Sequence, residues 1–245
     1  MRHLKLAYEE TIALFREDCK NEPLNCETKK QVLEQHCKAT NTCMAIYDMQ
    51  RDEYHFLHWI FEGADKHQTL ILSMNSLATL IHPADISYSI ECKIEALKLL
   101  NKIAANELTH YKLMYECRIK DKNGKFHRVL HQYMILELNS DNKPCHLRLQ
   151  MDIIPGEVSE MPPRGMTIMN IRTRKPLVSH AETRFTKREI EVLKCLAEGL
   201  DTKDIAQSKD MSINTTYNHR RNILRKTQMS DTGQALLYAK IIGAI

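Results

Sequence analysis

The organisation of this 245-residue chain is decided by the stretch RFTKREIEVLKCLAEGLDTKDIAQSKDMSINTTYNHRRNILRKTQMSDTGQALLYAK, residues 184–240. Near its start, Thr186 precedes Glu189 by three residues, which is the spacing of a capping box that satisfies two backbone donors at a helix N-terminus. Apolar residues then recur at helical spacing, and Gly199 stands where a left-handed residue ends a helix. The pattern therefore predicts a helix that begins just after Thr186 and ends just before Gly199.

Three more helices are predicted downstream of this one. Asp201 or Thr202 begins a second, shorter helix, Ser212 caps a third that runs to about Lys226, and Asp231 caps a fourth. A helix, a short helix, a tight turn and a longer basic helix are the order of a helix-turn-helix. The predicted fold of this segment is an all-α domain of four helices.

The third helix has the composition of a DNA-reading helix, because it carries four cationic residues and no acidic one. At about 100° per residue, one face of this helix collects a phenol ring, two amides and a guanidinium, from Asn214, Tyr217, Asn218 and Arg221. Asparagine pairs with adenine and arginine with guanine in the major groove. The remaining cationic side chains are expected to hold phosphates, and they are His219, Arg220, Arg225 and Lys226.

The charge distribution points to the same end of the chain. Residues 184–245 contain 11 Lys and Arg against 7 Asp and Glu, whereas residues 1–154 contain 20 against 21. Residues 155–183 contain 4 against 3, so the net charge of +4 lies almost wholly at the C-terminal end. This asymmetry indicates a polyanionic partner for that end, and we expect the partner to be double-stranded DNA.

Residues 185–241 resemble the LuxR-type helix-turn-helix of the NarL/FixJ regulators. The matching positions span the whole module at family spacing; they are Phe185 to Glu189, Val192-Leu193, Glu198-Gly199, Asp204 to Ala206, Ser212, Thr215 and His219 to Lys226. The resemblance implies a homodimer on paired half-sites, with the fourth helix in the dimer contact. It also implies base contacts by Tyr217, Asn218 and Arg221, and phosphate contacts by Thr215, His219, Arg220 and Arg225.

The N-terminal part of the sequence predicts helices followed by a sheet domain. Helical spacing predicts two short helices within residues 1–41, over 4–20 and 27–39. Two aromatic-rich runs, 44–47 and 54–59, then have the pattern of a hairpin.

A helix-like segment, residues 68–105, leads into three strand-like runs. The Asn-Gly turn at 122–125 joins the strands predicted over 111–119 and 126–138, and a third strand follows over 146–154. We therefore predict an α+β domain over 42–154, with helices on one face of an antiparallel sheet.

Residues 42–154 resemble a PAS domain in their order of elements. Two further features carry the resemblance, Leu80-Ile81-His82-Pro83-Ala84-Asp85 and Asp121-Lys122-Asn123-Gly124-Lys125. PAS domains are sensors or dimerisation platforms, so the resemblance implies an unknown small-molecule ligand or a protein partner. The Pro- and Gly-rich residues 155–183 are predicted as the linker between this domain and the helix-turn-helix domain, residues 184–245, with a short extra strand over Met166–Ile171 left open.

Other chemistry is not indicated by the sequence. No catalytic motif, Gly-rich phosphate loop or paired-cysteine site is present, so we expect neither an enzyme nor a metal site or cofactor. The eight cysteines read as free, mostly buried thiols. With neither a signal peptide nor an apolar run long enough to span a bilayer, the chain is expected to stay in the cytoplasm, away from membranes.

The favoured function is a one-component transcription regulator, in which the PAS-like domain controls a helix-turn-helix, with RNA polymerase as a candidate partner. One alternative is a sigma-factor-like partner of RNA polymerase, which needs a helical core-binding region upstream. The other is a non-enzymatic adaptor whose basic helix binds a protein. Steep weakening by salt would separate DNA binding from the adaptor role.

Overall fold

The computed structural model describes residues 27–40, 42–59, 61, 70–156, 158, 165–179 and 185–245. The helices are α1 Glu27–Thr40, α2 Met74–Ala78, α3 Pro83–Leu100, α4 Ala105–Leu108, α5 Lys187–Ala197, α6 Thr202–Ser208, α7 Ile213–Thr227 and α8 Thr232–Ile241. The strands are β1 Cys43–Asp48, β2 Glu53–His58, β3 Leu70–Ser73, β4 Tyr111–Lys120, β5 Phe126–Leu138, β6 Pro144–Ile153, β7 Met166–Asn170 and β8 Lys175–Ser179. The helix predicted over 4–20 lies outside the described residues.

The eight strands form one antiparallel sheet in the order β3-β2-β1-β6-β5-β4-β7-β8. The predicted hairpin between β4 and β5 is confirmed, and its turn is fixed by Asp121 and Gly124. The Asp121 carboxylate accepts backbone hydrogen bonds from Asn123 and Lys125 at 2.9 Å each. Gly124 has a φ of +81°, which favours glycine because it carries no Cβ.

Part of the segment predicted as a linker, residues 155–183, forms strands instead, and the first of them falls where the sequence left a short extra strand open. It contains β7 and β8, which extend the sheet beyond β4 and form its far edge. Both strands are only five residues long. Pro176 contributed to the Pro and Gly content that predicted a linker, but it lies within β8. This strand is at the edge of the sheet, where proline is tolerated.

Both faces of the sheet are covered, one by α3 of the predicted 42–154 domain and the other by α1, which precedes that domain. One face packs against α3 around a core that includes Ala45, Tyr47 and Tyr115. The opposite face of β1 presents Met44 and Ile46, which pack with residues of α1 such as Cys37. All six residues of β1 are buried, as expected for a strand with both sides covered rather than one.

The residues His82, Pro83 and Asp85 position α3 on the sheet. His82 is the N-cap, and its Nδ1 accepts a hydrogen bond from the Ala84 backbone at 3.2 Å. Asp85, fully buried, binds the guanidinium of Arg118 on β4 through two side-chain contacts of 2.7 and 2.8 Å. These residues therefore fix the start of α3 against the sheet.

Helices α5 to α8 form the predicted four-helix domain, with the capping box at Thr186 and Glu189 present. Their shared core includes Val192, Leu193 and Ile223. The sigma-factor alternative required a helical region upstream, but residues 43–153 are dominated by the sheet.

Six cysteines lie among the described residues, and all are buried thiols, in line with the prediction: Cys37, Cys43, Cys92, Cys117, Cys145 and Cys195. Burial raises the pKa of the Cys37 thiol to about 11 and that of Cys92 to about 12. These two thiols are therefore poor nucleophiles at neutral pH. Among the described helices, none combines the length and apolar character needed to cross a membrane.

Candidate DNA interface and sensor cavity

Helix α7 is the helix predicted to contact DNA bases, and we call it the reading helix. It is capped at both ends. The Ser212 hydroxyl accepts a hydrogen bond from the Thr215 backbone at 3.0 Å, and Gln228 ends the helix in the left-handed conformation. The turn from α6 is closed by a 2.9 Å backbone bond from Met211 to the Ala206 carbonyl, with Asp210 at a φ of +52°. These local contacts fix the angle between α6 and α7.

The three side chains predicted to contact bases share an exposed face of α7. Tyr217 is 57% exposed, and Asn218 and Arg221 are also exposed. The Arg221 guanidinium donates a 3.2 Å hydrogen bond to the Asn218 side-chain oxygen, so the two groups lie side by side. Ile213 is 44% exposed and adds an apolar side chain one turn before Tyr217.

The predicted phosphate contacts fall into two groups. Thr215 and Arg225 are exposed and His219 is half-buried. Arg220 instead bridges helices, because its guanidinium donates to the Thr202 hydroxyl on α6 and, at 3.1 Å, to that of Thr232 on α8.

Lys226, also predicted to hold a phosphate, binds within the domain. Its ammonium lies 2.6 Å from Oε2 of Glu189, whose side chain is 3% exposed. Burial raises the pKa of Glu189, but hydrogen bonds from Lys226 and the Thr186 backbone outweigh it and leave the pKa below its ordinary value. Lys226 therefore joins the end of α7 to the start of α5.

A buried polar cluster joins the helical domain to the outer face of the sheet. Arg128 on β5 binds Glu116 on β4, with 2.6 Å between Nε and Oε1, and both side chains are at most 3% exposed. Arg128 also donates to the Thr227 carbonyl at the end of α7, at 2.9 Å. The Tyr238 hydroxyl on α8 donates to the second carboxylate oxygen of Glu116 at 2.9 Å. We call these four residues the latch.

Apolar and backbone contacts surround the latch. Met114, Leu130 and Ile154 from the sheet domain belong to the same buried cluster as the core of the helical domain. Gly156, at a φ of +112°, lies so close to Gln228 that a Cβ there would be 2.1 Å from the Gln228 carbonyl oxygen. Only glycine fits this approach, and the docked arrangement depends on it.

A cavity of about 50 Å³ lies between α3 and the inner face of the sheet. Among the described residues its lining is apolar apart from tyrosines and Lys93, which is 6% exposed. Leu113 and Tyr133 line this cavity, whereas Met114 and Arg128 on the same two strands face the helical domain. Because side chains alternate along a strand, β4 and β5 carry the cavity on one side and the latch on the other.

One group of three potential metal ligands occurs among the described residues, and the sequence did not single it out. Glu137, Cys145 and His146 have ligand atoms within 4.8 Å of one another. His146 Nδ1 lies 3.1 Å from the Glu137 carboxylate. This pairing accounts for the cluster without an ion.

Comparison with known proteins identifies the helical domain. Residues 183–239 match the family model "Bacterial regulatory proteins, luxR family". The response regulator protein VraR of Staphylococcus aureus and that of Staphylococcus epidermidis are each 32% identical to the chain over 72 residues. The match covers 29% of this chain and 34% of the relatives, so it spans about a third of their length and is confined to one region.

Solved structures resemble longer parts of the chain only distantly. A sensory box histidine kinase/response regulator from Burkholderia thailandensis is 12% identical over 50% of this chain and 83% of its own, with a TM-score of 0.36. The phage VqmA-DPO complex is 13% identical over 89% and 91%, with a TM-score of 0.32. Escherichia coli SdiA is 15% identical over 98% and 99%, with a TM-score of 0.30.

Proposed function

We propose that this chain, whose residues 183–239 match the luxR family model, is a sequence-specific DNA-binding transcription regulator with an N-terminal sensor domain. The observation that carries the proposal is the exposed face of α7. Tyr217, Asn218 and Arg221 stand there together, outside the domain core and outside the docking contact with the sheet. An exposed aromatic ring beside an amide and a guanidinium is suited to base edges in the major groove.

The latch supports control of DNA binding by the sensor domain. Arg128 holds the last carbonyl of the reading helix, and Glu116 holds α8 through Tyr238. A change in the cavity that shifts β4 or β5 would therefore move both attachment points of the helical domain. The reading face is exposed in the docked arrangement, so the latch orients this face rather than covering it.

A homodimer through α8 is the second part of the proposal. Tyr238 and Ala239 of α8 are buried, but Leu237 is 58% exposed. An exposed leucine on a helix whose other faces are packed is a candidate contact for a second copy of the chain. Two reading helices at a fixed separation would then recognise paired half-sites. RNA polymerase is a further proposed partner if the protein activates transcription.

The experiment is selection of bound duplexes from a random library by the full chain, followed by anisotropy titrations on the selected sequence. Arg221→Ala is expected to cost about 1–3 kcal/mol on the selected site and much less on random DNA. Lys194→Ala removes one exposed positive charge outside α7 and serves as the matched control, expected to leave discrimination unchanged.

Two outcomes would overturn the assignment. Equal losses on selected and random DNA would remove Arg221 from base reading. Failure to enrich any sequence, with binding insensitive to salt, would favour the adaptor alternative, since duplex binding weakens steeply as salt rises.

A further inference from the structure

The reading helix begins with an exposed aliphatic side chain. Ile213 is the first residue of α7, directly after the N-cap Ser212, and its side chain is 44% exposed. The buried side of the same helix is formed by Thr216, Ile223 and Thr227, and Ile213 does not belong to the core of the helical domain. Its exposed apolar surface is therefore available for contact with another molecule.

Ile213 adjoins the face of α7 that is proposed to read bases. Four steps of about 100° place Tyr217 about 40° around the helix from Ile213 and one turn after it, so the two side chains are neighbours. Tyr217 is 57% exposed and forms an apolar patch with Ile213. Asn218 and Arg221, joined by a 3.2 Å hydrogen bond, lie further along the same helix. The reading face therefore has an apolar N-terminal end followed by a polar part.

The chemistry of the major groove decides what the apolar end can recognise. In a helix-turn-helix, the N-terminal residues of the recognition helix contact base edges. Adenine, guanine and cytosine present hydrogen-bonding groups there, and such groups lose water without gaining a partner when an aliphatic side chain covers them. Thymine differs from them, because its C5 methyl group projects into the groove and packs against apolar side chains.

We infer that Ile213, supported by the ring of Tyr217, selects a base pair that contains thymine through the thymine methyl group. The inference deepens the proposed function and rests on it, since it names one base of the recognised sequence. Ile213 and Arg221 are eight residues apart in the sequence, which is about 12 Å along the helix axis. Successive base pairs are about 3.4 Å apart, so the two side chains face different base pairs.

The test uses the duplex selected from the random library and replaces one thymine at a time with deoxyuridine. This change removes the 5-methyl group and keeps the hydrogen-bonding groups of the base. We expect one such replacement, at a base pair other than the one that Arg221→Ala affects, to weaken binding by the full wild-type chain about fourfold in anisotropy titrations. A fourfold change corresponds to about 0.8 kcal/mol, the usual contribution of one buried methyl-sized group.

Ile213→Ala should bind the parent duplex more weakly than wild type and should bind the parent and the deoxyuridine duplex alike at this position. Because Ile213 lies outside the core, the variant should unfold at the wild-type temperature, which circular dichroism checks. Val32→Ala is the matched control, since it shortens another exposed β-branched side chain, on α1, and it should keep the fourfold effect.

Three results would overturn the inference while the protein still binds its selected duplex, and these leave the proposed function intact. They are equal binding of wild type to the parent and to every deoxyuridine duplex, an unchanged deoxyuridine effect in Ile213→Ala, and selected sites without thymine on either strand. The first and third are measured on wild type, so they decide the matter even if the variant does not fold. Failure to enrich any duplex would instead overturn the proposed function, and the inference with it.

Discussion

The Tyr238 hydroxyl donates a 2.9 Å hydrogen bond to Oε2 of Glu116, although the two residues are 122 positions apart in the sequence. The other oxygen of this carboxylate is bound by Arg128, which also holds the carbonyl of Thr227. The bond therefore gives a buried charge one more hydrogen-bond donor and attaches α8 to the sheet. When a buried carboxylate loses such a donor, part of the free-energy cost of its desolvation is left uncompensated.

We expect Tyr238→Phe to lower the free energy of unfolding by about 1.5–3 kcal/mol, because it removes a hydrogen bond to a buried charged group. Urea unfolding followed by circular dichroism measures the loss, and Tyr111→Phe at a half-buried position is the control. In a double-mutant cycle with Glu116→Gln, the coupling should be at least about 0.5 kcal/mol. Additive effects would show that the bond does not contribute to docking.

Arg225 and Lys226 are adjacent in the sequence, but the structure separates their roles. Arg225→Ala should reduce the salt dependence of DNA binding by about one phosphate contact, since its side chain is exposed. Lys226→Ala should instead destabilise the domain by about 1 kcal/mol through loss of its bond to Glu189, and leave the salt dependence nearly unchanged. Salt titrations and thermal unfolding of both variants check this; the reverse pattern would restore Lys226 as a phosphate contact.

His131 should make the protein less stable in acid. Burial, helped by the nearby charge of Lys93, lowers the pKa of His131 from 6.5 to about 3. Between about pH 6.5 and pH 3 the unfolded state therefore takes up a proton that the folded state does not. The free energy of unfolding should fall by up to about 1.4 kcal/mol for each pH unit in this window.

The slope should be reduced in His131→Gln and retained in His36→Gln, which changes an exposed histidine on α1. Urea unfolding at several pH values supplies the measurement. An equal slope in wild type and His131→Gln would mean that other groups cause the acid sensitivity.

Leu237→Lys should weaken the proposed homodimer at least tenfold, because it places a charge on the exposed apolar position of α8. Sedimentation velocity across a concentration series measures the change. Leu177→Lys alters another exposed leucine, on β8, and should leave association unchanged. If neither substitution alters the dimer, the contact lies elsewhere.

The helical domain was predictable from sequence because its signals are local. Thr186 with Glu189, Ser212 and Asp231 each satisfy backbone donors within three residues, and the structure has helices beginning at each. The exposed face of α7 follows from helical spacing alone. What spacing could not reveal is that Arg220 and Lys226 are used within the domain, since their partners lie on other helices.

The sheet domain was predicted less completely. The hairpins were predicted from alternating apolar residues and from turn-forming residues. Strand β8 was not predicted, because Pro176 argues against a strand, and the packing of α1 on the other face of the sheet was not predicted either. The latch could not be predicted from the sequence, because nothing in the local sequence indicates that Glu116 and Arg128 are buried. They are buried where α8 packs over the face of the sheet that carries them. Their burial depends on contacts between residues about a hundred positions apart.

The place of β7 and β8 at the end of the sheet affects how the sheet domain can be isolated. A fragment that ended at residue 154 would strip β4 of the strand paired along Tyr111–Tyr115 and leave those main-chain groups open on a ten-residue strand whose side chains are mostly buried. Bare edges of this kind recruit other chains, so such a fragment is expected to aggregate. A stable fragment therefore has to extend through Ser179, so that β7 and β8 stay paired with β4 and with each other.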